Sequence, residues 1–390
     1  MKRLLLYLLL IAVCVSCQQP KGIAYNNAQV LDVTTGEIKI QSFLVEEGVI
    51  TQVSETSLQG ATNIDLHGQF VIPPLSDMHV HLHGDKENIK ALKEHGVFQV
   101  RDMGVFKESH IDSLQQWCTE ETLSIHPAGF IHSGDCYKDH KDIKTKEDVI
   151  DAVNYNIRRK LSYFKVHNCF PYKLFPILDS LARVKELKIV GHIPEGYDAI
   201  DYVKTSAVSS IEHTDIFVRS LSYREEAPAT SILEAVQILD GSYLDSLATA
   251  LQENHVALTP TLVTYENYVA HLPKEQQGIG NNLFKRIQSY TKRMYEHGVL
   301  LLPASDLGVE GIEAGASLLR ELELLKETGL SPLQVLQIAI VNPAVYLEKE
   351  TPGIVQGQPA SFLVLEKNPL EDISNLKAIR SVVHKGTSIE

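Results

Sequence analysis

Asp77-Met78-His79-Val80-His81 sets two imidazoles two residues apart behind the apolar stretch 70–75. On a strand such residues point the same way, so His79 and His81 can face one interior. Neutral imidazole is the commonest metal ligand, and two on one face at a strand end can hold Zn²⁺ or a similar ion. Three more apolar runs close on ligand types: Val190-Gly191-His192, Ser210-Ile211-Glu212-His213 and Leu302-Pro303-Ala304-Ser305-Asp306. In Tyr163-Phe164-Lys165-Val166 a lysine stands inside an otherwise apolar strand. A bare ammonium buried beside metal ions is costly. Converted by CO₂ to a carbamate it becomes anionic and can bridge two cations. Each residue alone has a plain structural alternative: a satisfied core histidine, a helix-capping aspartate or a snorkelling lysine. Five strand-end positions in succession point instead to one metal centre.

These residues need a scaffold of strands ending at a common face. Strand-like runs at 97–100, 162–166, 188–191, 209–212, 256–259 and 300–303 alternate with helical patterns, which argues for βα units and a parallel sheet. Thr145-Lys146-Glu147-Asp148 predicts a capping box before a helix over 149–161. Ser242-Tyr243-Leu244-Asp245 predicts another before 247–251. Ser331-Pro332 predicts a cap followed by Pro at the first helical position. About eight such units over roughly 270 residues match a (β/α)₈ TIM-like barrel in an α/β protein, here residues 73–347. Residues 24–72 and 348–390 instead alternate as short strands with turns, and predict one composite β-sandwich domain built by both termini.

Composition bounds the class. With 44% hydrophobic and 22% charged residues the chain reads as globular, which excludes disorder, collagen and coiled coil as overall classes. The mean hydropathy of −0.06 excludes a polytopic membrane protein. A formal charge of −13 leaves no basic footprint, so no nucleic-acid partner is expected. Lys2 and Arg3 precede an apolar run over 4–15. Twelve helical residues reach about 18 Å, short of a bilayer core of about 30 Å. Residues 1–16 therefore read as a signal peptide. Cys14-Val15-Ser16-Cys17 resembles a bacterial lipobox, which puts the lipid on Cys17 and makes 17–23 a tether. An ordinary cleaved signal or a single N-terminal anchor are the alternatives. The expected place is the cell envelope, lipid-anchored and facing the periplasm or cell exterior. Gln18, not being acidic, favours the outer membrane.

The phrases together resemble the amidohydrolase superfamily, in its imidodipeptidase-like branch. Residues 71–81 resemble the family opening at strand 1, and Val100-Arg101-Asp102-Met103-Gly104 its strand 2 motif. Asn342-Pro343-Ala344 and the stretch 367–373 are further family-like phrases. The resemblance implies a barrel holding two divalent ions, Zn²⁺ by preference. His79 and His81 would bind one, His192 and His213 the other, and carboxylated Lys165 would bridge them. Asp306 would contact a metal and act as the catalytic acid–base group. The chain departs from the pattern at Pro74 and Ser361, neither of them a ligand. It also departs at Ile193, where some dipeptidases of this branch carry a tyrosine that assists the substrate carbonyl.

The reading is a hydrolase that cleaves a C–N bond, amide or peptide-like, of a small substrate, by attack of a metal-bridging hydroxide. Ester, lactone or phosphoester hydrolysis on the same site is the first alternative; a non-catalytic ligand- or metal-binding lipoprotein is the second. Arg219 and Tyr265, in loops after the sixth and seventh strands, are candidate substrate contacts, an arginine there being able to clamp a carboxylate. His83, His167 and Tyr172 are placed at the rim. Cys136 and Cys169 are candidates for a disulfide, with free buried thiols as the alternative. Oligomeric state is left open.

Overall fold

The computed structural model describes residues 21–119, 123–134, 138, 140–214 and 241–389. Arg219, Cys17, Cys136 and the N-terminal segment 1–16 lie outside them.

Both ends of the chain build one eight-stranded sheet. From the N-terminal side come β1 (Ile23–Leu31), β2 (Ile38–Glu46), β3 (Val49–Ser54), β4 (Thr62–Asp65) and β5 (Phe70–Ile72). Three strands from the far end join them: β15 (Phe362–Leu365), β16 (Ile379–His384) and β17 (Thr387–Ile389). The seam is β5 against β15, antiparallel, with Val71 opposite Val364. Alternation along β1 and β2 buries one face. There Tyr25, Phe43 and Phe362 meet, stacked or edge-on, with ring centroids 5.1–5.2 Å apart. Aromatic contacts of this kind contribute roughly 0.5–1.5 kcal/mol beyond their buried area.

Between these ends lies a TIM-barrel-like α/β body. Strands β6 (Leu75–Val80), β7 (Val97–Asp102) and β8 (Ser124–Pro127) form one parallel sheet. The other sheet is also parallel, and its principal strands are β9 (Ile131–Ser133), β11 (Tyr163–Val166), β12 (Lys188–Gly191), β13 (Val208–Glu212) and β14 (Ala257–Thr259). All six residues of β6 and all four of β11 are buried. Strands covered on both faces need no alternation, which is why they read as continuous apolar runs with a few chemical residues embedded. The ladders do not form one closed circle: isolated bridges, Val105 to Phe130, Leu258 to Leu301 and Val80 to Leu307, span the breaks.

Most expected elements fall within a residue or two of their places. The expected strand over 300–303 does not form as a ladder. Its backbone instead bonds to both neighbours, with Leu302 N–H donating to Leu258 and Pro303 accepting from Met78. The proline, which has no N–H, limits regular pairing. Thr145 and Asp148 make the expected capping box of α3 (Lys146–Arg158), and Ser331 makes one with Gln334. The helix expected after Ser242 includes it, running over Gly241–Glu253 among the described residues. No described helix is long and apolar enough to cross a membrane.

Candidate active site

His79 is the last but one residue of β6, Lys165 lies on β11, and His192 and His213 directly follow β12 and β13. Asp306 follows the bridge segment at Leu301. All five, with His81, line one cavity of about 240 Å³. Close strand approach is needed here. Gly191 has φ +125°, and a Cβ there would lie 2.1 Å from the Val166 carbonyl oxygen. His213 and Asp306 both sit at positive φ, 69° and 60°. Such conformations cost about 1–3 kcal/mol each and concentrate at functional sites.

Hydrogen bonds decide which nitrogen of His79 and of His81 faces the cavity. His79 Nδ1 lies 2.9 Å from Glu212 Oε2, and His81 Nδ1 lies 2.8 Å from the Gly104 carbonyl oxygen. A carboxylate and a carbonyl can only accept, so both rings carry the proton on Nδ1. Their Nε2 atoms are then lone-pair bearers, and they stand 3.3 Å apart with no proton between them. Asp306 Oδ1 lies 3.3 Å from His79 Nε2 and 3.6 Å from His81 Nε2. Ligand atoms of His79, His213 and Asp306 also fall within 4.8 Å of one another. Two nitrogens bound tetrahedrally to one Zn²⁺ stand roughly 3.4 Å apart. The residues present fit a cation.

Electrostatics favour neutral rings. Burial, reinforced by Lys165, holds His79 well below the usual histidine range and pushes His81 down to about 3. Burial also holds His192 low. Lys165 is 2% exposed, and burial lowers it to about 8 against the opposing pull of Glu212 and Asp306. It is thus closer to a free amine than an ordinary lysine.

The sequence reading assigned no role to the residues beneath the cavity. Arg101 is fully buried and donates to both oxygens of Glu212 (2.9 and 3.0 Å), to Ser210 and Tyr346, and to the Met78 carbonyl. Burial opposes the charge on Glu212, but Arg101 and Lys165 outweigh it and keep the carboxyl below its usual range. Glu212 thereby accepts from His79 as an anion. Asp77 accepts from the Ser305 N–H and hydroxyl, tying β6 to the segment that carries Asp306. Asp102 accepts from Leu82 and Gly104, on either side of the His81 contacts. The sequence signals for these were their places in the quoted motifs: Asp77 before His79, Arg101 and Asp102 in the strand 2 phrase, Glu212 before His213 and Ser305 before Asp306.

Around the cavity, eight rings touch in a closed circuit. His79, His81, His83, Phe106, His140, His167, His192 and His213 follow one another with centroids 4.3–6.0 Å apart and return to His79. His83 and His167 are therefore cavity residues, joined by Phe106 and His140, which the sequence did not mark. Tyr265 is partly buried against the apolar core and is not among the described cavity residues. Tyr172 is likewise elsewhere and approaches Gly196. Ile193 is buried in the main core. Cys169 is disulfide-bonded, and Cys136, the partner suggested for it, lies outside the described residues.

Among known proteins, an adenine deaminase of Bacillus subtilis (strain 168) is 26% identical over 211 residues, 49% of this chain and 35% of that protein. An adenine deaminase of Desulfitobacterium hafniense (strain Y51) is 21% identical over 376 residues, 94% of this chain and 58% of that protein. The chain thus spans less than two thirds of the length of these curated relatives. A solved Xaa-Pro dipeptidase with bound methionine in its active site superposes with a TM-score of 0.72 at 18% identity, covering 94% of this chain and 99% of that one. Bottromycin amidohydrolase does so with a TM-score of 0.72 at 19% identity, covering 95% and 87%. These likenesses show a shared fold. The family model for the amidohydrolase family matches residues 70–389, a span holding all eight cavity rings, Lys165 and Asp306. The chain belongs to the amidohydrolase family.

Proposed function

We propose that this chain is a metal-dependent hydrolase of a C–N bond, amide or peptide-like, in a small substrate. The observation that carries the reading is the 3.3 Å approach of two unprotonated Nε2 atoms, on His79 and His81, with Asp306 Oδ1 beside both. Such an arrangement is repulsive in itself and becomes favourable around a cation. His79, His81 and Asp306 would hold one divalent ion, and His192 and His213 a second, with Lys165 as a carbamate between them. Zn²⁺ suits the imidazole-rich donor set. When bound, the ions supply Lewis acidity, lowering the pKa of water and polarising a carbonyl oxygen.

The chain's own groups do the rest. Glu212 keeps the His79 proton on Nδ1. Asp306, 5% exposed and backed by its N–H bond to the His79 carbonyl, is the acid–base group: its carboxylate takes a proton and returns it to the departing amine. A cavity of about 240 Å³ admits a small molecule and excludes a folded polypeptide. Phe106, Ile131 and Val309 supply apolar wall, and His83, His140 and His167 supply hydrogen-bonding edges.

The test is amine or ammonia release from dipeptides, N-acyl amino acids and cyclic amides by Zn²⁺-loaded protein, with Asp306→Asn as control. Turnover that Asp306→Asn abolishes supports the reading. Turnover of esters alone, or of amides by protein free of metal, overturns it. We also read the chain as a lipoprotein of the cell envelope, anchored through Cys17. Cys17→Ser should move it from the membrane fraction to the soluble one.

A further inference from the structure

We propose that Glu321 is a positioning residue for His213, acting across a helix start and Thr261. This rests on the reading of His213 as a metal-holding residue.

Thr261 precedes the helix α7 (Leu262–Ala270) at its N-cap position, yet makes no side-chain cap. Its hydroxyl donates to the Pro260 carbonyl at 2.8 Å. That uses its one proton, so the 2.7 Å contact with His213 Nδ1 is accepted by Thr261 from an Nδ1–H. His213 thus carries its proton on Nδ1, as His79 and His81 do, which leaves its Nε2 unprotonated. Thr261 achieves this in the left-handed region, at φ 51°.

A threonine at this place would ordinarily turn its oxygen back onto its own helix. Here another helix, α9 (Ala316–Glu327), provides that service. Glu321 is fully buried, and its Oε2 accepts from Val263 N–H at 2.7 Å, with Leu262 N–H also bonding the carboxyl. Two orphan donors of the first turn are thereby satisfied from outside. Glu321 Oε1 is buried without a partner. Packing alone gives no reason to keep a half-satisfied carboxyl in the core, because an apolar residue there would avoid the desolvation cost. The arrangement makes sense as a division of labour: Glu321 caps the helix, and Thr261 is released to orient His213. Without Glu321, Thr261 can relax its φ and cap its own helix, leaving Nδ1 of His213 unheld.

The experiment compares the full chain with Glu321→Leu, Glu321→Gln and Thr261→Val. It reads Zn²⁺ affinity by chelator competition and the His213 Nδ1–H proton resonance of the metal-free protein by NMR. Glu321→Leu and Thr261→Val should weaken Zn²⁺ binding about ten-fold or more and lose the resonance. Glu321→Gln keeps an acceptor for Val263 and should retain both. Leu322→Ala, a cavity in the same helix, should lower the Tm and leave the resonance in place. Folded Glu321→Leu with parental resonance and affinity overturns the proposal, as does Glu321→Gln failing equally. If Glu321→Leu does not fold, Glu321→Asp, which withdraws the oxygen from Val263, takes its place under the same criteria. If the parent binds no Zn²⁺, the metal reading of His213 falls. The resonance then decides this proposal: its loss in Glu321→Leu supports it and its persistence overturns it.

Discussion

Glu212 Oε2 lies 2.9 Å from His79 Nδ1, while the same carboxylate receives Arg101 through both its oxygens. A residue of one strand end thus sets the tautomer of a histidine on another, and a buried cation fixes the residue that does so. Partners behind metal-holding histidines typically contribute ten- to hundred-fold in affinity. Glu212→Gln, which keeps an acceptor but loses the charge, should weaken Zn²⁺ binding by about that factor. Glu212→Ala should do more, because it leaves Arg101 uncompensated in the core; roughly 3–5 kcal/mol of stability should go with it. Metal titration and chemical denaturation of the two variants check both parts.

Metal removal should expose the repulsion at the cavity floor. His79 Nε2 and His81 Nε2 converge with no proton between them, and Asp306 Oδ1 lies beside both. Chelated protein should unfold at a lower temperature and recover on adding Zn²⁺. The gain is about 2.7 kcal/mol for one site at free metal about one hundred times its Kd. A melting curve in chelator and in Zn²⁺ reads this directly; identical curves would count against a metal at this site.

Lys165 offers a separate test. Burial brings its amine down to about 8, so a sizeable fraction is the nucleophilic free base in mildly alkaline buffer. Reconstitution of metal-free protein should be faster with added bicarbonate, and native mass spectrometry should show the gain of one CO₂ on the metal-loaded chain. Lys165→Ala should lose both the gain and the second metal ion. Bicarbonate-independent reconstitution with no mass gain would remove the carbamate from the account.

Three buried carboxyls should each contribute stability that falls as pH rises. Burial lifts Glu321 to about 8, Asp102 to about 7 and Asp77 to about 6, each above its unfolded value near 4. At these three carboxyls the folded state therefore holds more protons than the unfolded one. Their contribution is fully present below pH 4 and is lost as pH climbs through 6, 7 and 8. Glu321→Gln cannot ionise and should flatten the upper part of the curve, by a few kcal/mol between pH 5 and 9. Denaturant titrations at pH 5, 7 and 9 on parent and variant measure the slope.

Much of the centre was legible in the residues themselves. The period of two along a strand is local, so His79 and His81 could be placed on one side before any fold was known. The same holds for Lys165 inside its apolar run and for Thr145 and Ser331, whose caps depend on residues three positions away. What lies across the interior was not legible. Nothing local joins Arg101 to Glu212, His83 to His140 through Phe106, or Glu321 to the helix start beside Thr261. Those contacts depend on which strands and helices become neighbours, and neighbours are chosen by packing over the whole chain. Tyr265 shows the same rule: nothing local foretells that it packs, partly buried, against the main core. The residue types determined the chemistry on offer, and the tertiary structure decided which nitrogen of His79, His81 and His213 could provide it.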